Sequence, residues 1–231
     1  MANLVQQSTT GRRVVTQVPV GLLSCEFGPV RSYAGKITGG SGVTAVIGPD
    51  YGDGVRRGTV TNSSSLQPVM GMLNGSSSPY TWVAGHLLNA DLGGSGTDDR
   101  NLTALTSAAN ANHKTFEGHV KRLIARCRAL DVQNPDAVRW YGLRYTVGVS
   151  TYSFAHTPHP SDVHSYAFSH ITFDYGVVCI DKATRQVTFA NDLQARNDFA
   201  SVALPTYTIG TTQTHMFTGP LQFGPIEAHN G

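Results

Sequence analysis

Charged residues and long apolar runs are scarce in this chain of 231 residues. Only 14% of the residues are charged and the net charge is +2, which argues against a nucleic-acid coat protein and requires any phosphate-binding surface to be local. No apolar run approaches the roughly 18–20 residues of a membrane span, and the N-terminal sequence MANLVQQSTTGRRVV lacks the apolar stretch of a secretory signal. We therefore expect no membrane partner, a cytoplasmic location in the producing cell, and export only by a specialised secretion system or a fusion partner.

Cysteine is also sparse. Cys25, Cys127 and Cys179 match no zinc-binding spacing, and their odd number argues against a closed disulfide framework, so free thiols are expected. The Gly-rich run at 93–96 lacks the lysine of a P-loop, which favours a simple turn. No serine lies in a Gly-x-Ser-x-Gly elbow, the usual setting of a hydrolase nucleophile.

The pattern of apolar residues predicts an α+β fold that is rich in strands and has one long central helix. The helix is expected at Ser107–Leu130, with Thr106 or Ser107 as its cap. Its inward stripe would contain Phe116, Val120, Leu123, Ile124 and Cys127. Residues 32–78 are expected to be rich in loops. Strands are expected at 12–20, 42–48, 81–88, 101–105, 139–153, 170–180, 185–190 and 206–210, with a hairpin turn at 181–184.

The most specific segment runs from Tyr80 to Lys121 and places a histidine, a Gly-rich loop and a helix start in that order. His86 follows Gly85 at the end of a predicted strand, where its side chain can face a cleft. An imidazole with a pKa near 6.5 can act as a neutral base at neutral pH. A histidine with a purely structural role is the alternative for this residue taken alone.

Three polar side chains of the predicted helix share one face. Asn110, His113 and Glu117 are spaced i, i+3 and i+7, and amide, imidazole and carboxylate groups can bind Mg²⁺, Mn²⁺ or Zn²⁺. Asn110 also lies in the first turn, where the helix dipole favours a nearby phosphate. An ordinary solvent-exposed polar face is the alternative interpretation.

The intervening loop supplies further candidates. Asn89 could orient the loop, the histidine ring or substrate, and Asn101 could orient the loop backbone or a phosphate. Arg100 is a candidate phosphate clamp, because a guanidinium group matches phosphate geometry. Structural roles remain the alternative for each of these residues.

With these residues in view, GHLLNADLGG followed by NLTALTSAANANHKTFE resembles the DNA/RNA non-specific endonuclease family, which has a ββα-metal (His-Me finger) core. The similarity is greatest to the branch found as toxin domains in bacterial polymorphic-toxin and contractile-injection effectors. It covers about 40 of the 231 residues. The resemblance implies that His86 is the general base, Asn101 the first Asn of the Asn-Leu-Thr element and Asn110 the metal ligand. Glu117 lies one position away from the family's helix glutamate.

Two departures from the family pattern bear on substrate range and catalytic rate more than on the fold. Val83 and Ala84 occupy the positions where secreted members carry Asp-Arg, and Ala104 replaces a proline. The arginine that assists phosphate binding must therefore come from elsewhere in the chain. The candidates are Arg57, Arg100 and Arg144.

The resemblance implies a single nuclease domain over residues 1–231, with the ββα-metal core at 80–130 and a strand-rich N-terminal extension at 1–75. We expect a metal-dependent endonuclease of low sequence specificity that cuts DNA, with RNA as a second candidate substrate. The expected cofactor is Mg²⁺, with Mn²⁺ or Zn²⁺ as alternatives. As a bacterial toxin effector, the protein would have a cognate immunity protein and a secretion or injection apparatus as partners.

Other functions stay open on the sequence. The fold could serve as a non-catalytic binding or structural module of a phage- or injection-type particle, or hydrolyse a different substrate. The histidines of the 156–170 loop, with Asp162, could bind an accessory ion or substrate, although Pro158 and Pro160 favour an extended surface loop. Tyr152, Phe154 and Tyr166 are aromatic residues of this region that could stack on bases.

Overall fold

The computed structural model describes residues 20–51, 58–202, 217–219 and 221–231. Within these residues the chain forms a mixed α and β fold in which strands predominate, consistent with the predicted α+β class. The strands predicted at 12–20 and 206–210 lie outside the described residues, apart from Val20. None of the described helices has both the length and the apolar character needed to cross a membrane.

The larger sheet is antiparallel and contains seven of the described strands. Its order is β1-β4-β7-β8-β11-β10, and β9 also pairs with β8. The strands are β1 (Gly21–Phe27), β4 (Gly42–Gly48), β7 (Arg139–Val149), β8 (His170–Asp181), β9 (Val187–Phe189), β10 (Phe217–Thr218) and β11 (Gln222–His229).

The smaller sheet has four described strands in the order β2-β3-β6-β5. These are β2 (Val30–Tyr33), β3 (Lys36–Gly40), β5 (Trp82–His86) and β6 (Leu102–Thr106). The described helices are α1 (Gln67–Gly75), α2 (Ser107–Gln133) and α3 (Leu193–Phe199). The long helix predicted at Ser107–Leu130 is therefore confirmed and extends three residues further.

Helix α2 packs against both sheets. The predicted apolar stripe is buried in the main core with the inner face of the larger sheet. On the far side of the smaller sheet, a second cluster joins Trp82, Leu102 and Ala104 to α1. Burial of one stripe of α2 and both faces of the β5–β6 pair fixes the position of the helix start relative to β5.

An asparagine distant in sequence secures the junction between β6 and α2. The amide oxygen of Asn230 accepts a hydrogen bond from Thr106 N at 2.8 Å, and its nitrogen donates to Phe168 O at 2.6 Å. Thr106 is the N-cap of α2, because its hydroxyl accepts from Ala109 N at 3.3 Å. The capping prediction is confirmed at Thr106.

The prediction of a loop-rich 32–78 region was wrong over β3 and α1. In β3, Gly39 and Gly40 lie so close to the backbone at Arg100 and Leu102 that an added Cβ would collide with it. Helix α1 buries Val69, Met70 and Leu73 despite containing Gly71 and ending at Gly75. Both elements contain glycine and are nevertheless regular, so glycine content wrongly predicted loops in these two segments.

Candidate functional site

The candidate site lies where β5 ends and α2 begins. Strand β5 pairs antiparallel with β6 and places His86 opposite Leu102. Helix α2 follows β6 directly, so Asn110 lies in its first turn. The chain therefore has the strand–loop–strand–helix order that the sequence predicts for residues 80–130.

Two contacts hold the His86 ring. Its Nε2 lies 3.0 Å from the backbone oxygen of Thr59, and its Nδ1 lies 3.3 Å from Oγ1 of Thr61. Because a carbonyl oxygen can only accept, the contact with Thr59 requires the proton on Nε2. The neutral ring therefore has its lone pair on Nδ1.

The surroundings also favour the neutral form of His86. Burial lowers the pKa of His86, the hydrogen bond to the Thr59 backbone opposes this effect, and the positive charge of Lys114 lowers the pKa further. The net shift is downward from 6.5. At neutral pH, His86 is thus an unprotonated base of defined tautomer.

The contacts to His86 come from residues 58–62, which run beside the loop between β5 and β6. Backbone bonds join the two segments, from Gly58 N to Ala90 O, Thr59 N to Gly94 O and Asn62 N to Gly96 O, at 2.9, 3.1 and 2.7 Å. The role of the 58–62 segment could not be predicted from residue types, because every residue has a backbone carbonyl. Its indirect signal is the Gly-rich loop: a Cβ on Gly96 would collide with Val60 O.

Asn110 presents an unengaged amide beside β5. A Cβ added to Gly85 would lie 3.2 Å from Asn110 Oδ1, so the amide lies against the backbone next to His86. The side chain is half-buried, and no hydrogen-bond partner for it is found among the described residues. Its oxygen is available to a ligand.

His113 and Glu117 face the core. His113 is 1% exposed and its Nε2 lies 2.6 Å from the Tyr145 hydroxyl, while Glu117 is 2% exposed and accepts from Asn89 Nδ2 at 2.8 Å. Burial lowers the pKa of His113 to about 3 and raises the pKa of Glu117 to about 7. Glu117 Oε1 lies 3.8 Å from His113 Nε2 and has no hydrogen-bond partner in the described part of the chain.

Asn89 and Asn101 organise the loop between β5 and β6. Asn89 Oδ1 accepts from Asp91 N at 2.9 Å while its nitrogen holds Glu117. Asn101 is fully buried, accepts from Leu88 N at 2.8 Å, and donates to Leu88 O and Ser95 O at 3.0 and 2.8 Å. These contacts support the loop-orienting alternatives for both residues, and the described contacts leave no Asn101 atom directed to substrate.

Of the predicted arginines, the structure describes Arg100 and Arg144, which lie apart from each other. Arg100 forms a two-pronged ion pair with Asp98, at 3.0 and 2.8 Å. Arg144 lies on the face of the larger sheet opposite α2, where its guanidinium is 5.8 Å from the centre of the Phe189 ring. It therefore does not join His86. Arg57 lies outside the described residues.

The donors at the site suit a metal ion held by one side chain. Among the described residues, no group of three or more His, Cys, Asp or Glu side chains is arranged to bind a metal. His113 and Glu117 already have partners inside the core. The amide oxygen of Asn110 is a ligand type that Mg²⁺ accepts, and Mg²⁺ commonly retains several water ligands. The residues therefore fit a hydrated ion at Asn110 and do not fit direct coordination by His113.

The histidine-containing 156–170 loop packs beside α1. The His164 ring contacts Trp82 and Phe154 with ring centres 6.4 and 5.3 Å apart. Tyr166 is buried, whereas Tyr152 is exposed. Of the three aromatic residues proposed for base stacking, Tyr152 alone is an exposed platform.

Comparison with known proteins adds no family assignment. No family model, curated protein or solved structure matches the chain.

Proposed function

We propose that this protein is a metal-dependent endonuclease that cuts DNA, with RNA as a second candidate substrate. The observation that carries the proposal is the hydrogen bond from His86 Nε2 to the Thr59 carbonyl, because it leaves Nδ1 as the basic nitrogen. The unengaged Asn110 amide beside the same strand supports it. The resemblance of the 80–121 segment to non-specific endonucleases supplies the reaction class.

In the proposed reaction, His86 activates water. A water takes the place of the Thr61 hydroxyl at Nδ1, which accepts the proton as the water oxygen attacks phosphorus. The bond from phosphorus to the 3′ oxygen breaks, and solvent protonates the departing oxygen. The Thr59 carbonyl keeps the ring oriented and becomes a stronger partner once the imidazole is charged. His86 thus begins as a neutral base and ends as an imidazolium.

Asn110 would hold the divalent ion, with Mg²⁺ as the first candidate. When bound, such an ion supplies Lewis-acid stabilisation of the phosphate and leaving oxygens. Asn110 contributes an uncharged oxygen donor at the positive end of α2, and Asn89 fixes Glu117 behind it. We assign no direct metal bond to His113 or Glu117.

Cleavage of plasmid DNA and total RNA, with and without Mg²⁺ or Mn²⁺, tests the proposal. We expect His86→Ala to reduce the rate about 10²–10⁴-fold, the usual contribution of a general base. Asn110→Ala should lose metal-dependent cleavage, and Asn110→Asp should recover part of it because an oxygen donor is restored. His156→Ala is the matched control, since it removes an exposed histidine outside the site.

Full activity in a correctly folded His86→Ala protein would refute the proposed base. A thermal shift with Mg²⁺ that persists in Asn110→Ala would refute the proposed ligand. Circular dichroism of each variant separates these results from loss of folding.

The biological setting in this proposal is that of a bacterial toxin effector with an immunity protein, delivered by a secretion or injection apparatus. It rests on the resemblance of the 80–121 segment alone. Induced expression in a bacterial host should arrest growth, and His86→Ala should relieve the arrest. Growth arrest that is equal for both proteins would contradict this setting.

A non-catalytic binding module is the second candidate. It is favoured by the contacts at both ring nitrogens of His86 and by Val83 and Ala84 at the family's Asp-Arg positions. An inert module should cut neither substrate and should show no thermal shift with Mg²⁺ or Mn²⁺.

A further inference from the structure

Thr61 lies between His86 and the backbone of β5. Its Oγ1 is 3.3 Å from His86 Nδ1 and 3.3 Å from Ala84 O. The side chain is exposed, so it is held by these contacts rather than by burial. Thr61 therefore touches the one nitrogen of His86 that bears the lone pair.

A hydroxyl has one hydrogen to donate, so its two contacts cannot both be donations. With His86 neutral, the hydrogen can point to Nδ1 or to Ala84 O. With Nδ1 protonated, the ring must donate to Oγ1, and the hydroxyl hydrogen must turn to Ala84 O. The protonated state thus has a continuous chain of hydrogen bonds from Nδ1 through Thr61 to the β5 backbone.

We propose that Thr61 is a positioning residue for the base: its hydroxyl accepts from Nδ1 when His86 takes up a proton and donates at the same time to the Ala84 carbonyl. A bond from a charged donor is about twice as strong as a neutral one, so Thr61 stabilises the imidazolium more than the neutral ring. Its effect on rate rests on the proposed function, whereas its effect on His86 protonation does not.

Other groups near His86 act in the opposite direction or remain constant. Lys114 of α2 lowers the pKa of His86, and His113 interacts electrostatically with it from the same helix. His113 is neutral near pH 7 because burial lowers its pKa to about 3. The Thr59 carbonyl accepts from Nε2 in both charge states. Among these contacts, Thr61 alone must accept a hydrogen bond from the ring once Nδ1 gains a proton.

An NMR titration of His86 in the full chain tests the assignment, with Thr61→Val and Thr61→Ser as the paired variants. Valine keeps the branched shape and loses the hydroxyl, so we expect the pKa of His86 to fall by about half a unit or more. Serine keeps the hydroxyl and should restore the wild-type value. Thr188→Val is the matched control, because Thr188 is an exposed residue of β9.

The kinetics of nucleic-acid cleavage in the presence of Mg²⁺ or Mn²⁺ provide the second measurement. Thr61→Val should lower kcat about three- to tenfold with little change in KM, and the acid limb of the pH profile should move to lower pH. An unchanged His86 pKa in Thr61→Val, or the same shift in Thr61→Ser, would overturn the assignment. If wild type cuts no nucleic acid while the pKa shift persists, the Thr61 contact stands and the proposed nuclease function fails.

Discussion

Asn101 connects three backbone groups of the loop between β5 and β6. Its amide satisfies Leu88 N, Leu88 O and Ser95 O from a fully buried position. Asparagine can do this because it combines donors and an acceptor in one short side chain. The Asn101 side chain, directly before β6, therefore fixes the backbone of the loop that follows His86.

Replacing Asn101 with Ala should destabilise the protein by about 3 kcal/mol, because buried backbone groups would lose their partners. Urea denaturation measures the change, with Asn62→Ala as an exposed control. A stable Asn101→Ala protein that has lost cleavage would instead indicate the catalytic role predicted from the sequence.

The sequence could predict individual polar positions of the site but not which way each side chain faces. Asn110, His113 and Glu117 do share a helix face, yet that face borders Phe116, whose ring is fully buried. Helical spacing alone cannot separate a ligand face from a core face that contains polar pairs. His113 forms its hydrogen bond with Tyr145, which lies 32 residues further along the chain. Whether this helix face binds a ligand or packs in the core therefore could not be decided without the tertiary structure.

The β5–loop–β6–α2 unit was the most predictable element of the chain. Its order and approximate bounds follow from the apolar run, the turn residues and the helical stripe. The 58–62 segment beside it has no periodicity of its own, and its backbone bonds to the loop depend on the close approach of two chain segments. Local propensity therefore predicted the unit and missed the segment that orients His86.

Gly96→Ala tests this close approach. The added methyl would collide with the Val60 carbonyl, so we expect about 1–3 kcal/mol of destabilisation and displacement of the 58–62 segment from His86. Thermal unfolding and the His86 NMR titration measure the two effects.

Gly118→Ala is the matched control for Gly96→Ala. Gly118 lies in α2, and a Cβ there would meet nothing within 4 Å. This change should stabilise the protein by about 0.5–1 kcal/mol, the usual gain for alanine over glycine in a helix. Equal effects of the two substitutions would contradict the steric explanation.

At the scale of the whole molecule, buried ionisable groups beneath the larger sheet should control stability in acid. Burial lowers the pKa of His113 to about 3 and that of His119 to about 4. Their unfolded pKa is near 6.5, so the unfolded chain binds more protons between about pH 4 and 6.5. The contribution of these two histidines to the free energy of unfolding is therefore complete above pH 6.5 and is lost as pH falls through this window.

Glu117 acts in the opposite sense. Its pKa is raised from 4.5 to about 7, so its contribution is present at low pH and is lost as pH rises through about 7. Between pH 4.5 and 6.5 the effect of the two histidines on the free energy of unfolding exceeds the opposite effect of Glu117. The free energy of unfolding should consequently fall on acidification below pH 6.5 and level off near pH 7.

Urea denaturation from pH 4.5 to 8 would measure this profile. His119→Gln should reduce the slope below pH 6.5, by a total on the order of 1–3 kcal/mol across the window. His156→Gln, at an exposed position, should leave the slope unchanged. A flat wild-type profile would show that these histidines accept protons without unfolding.

The pairing of strands in the larger sheet could not be predicted from the sequence. The long strands and the turn at Asp181–Thr184 could be predicted, and Asp181 does accept hydrogen bonds from Ala183 and Thr184. The pairing of β4 with β7 joins segments separated by about 100 residues, and alternation within a strand does not specify its neighbour. The local sequence pattern therefore predicted where strands occur, whereas the order of the strands in the sheet depends on tertiary packing.

The hydrogen bond between Asn230 and Thr106 has a consequence for the order of events during synthesis. Its two residues are 124 positions apart, so a ribosome completes the helix start long before it makes the asparagine that secures it. Helix α2 can form early from its own sequence, but its junction with β6 can reach the final arrangement only after β11 has been added. Whatever chemistry His86 and Asn110 perform, the nascent chain should acquire it late, and fragments that stop short of Asn230 should lack the full rigidity of the site.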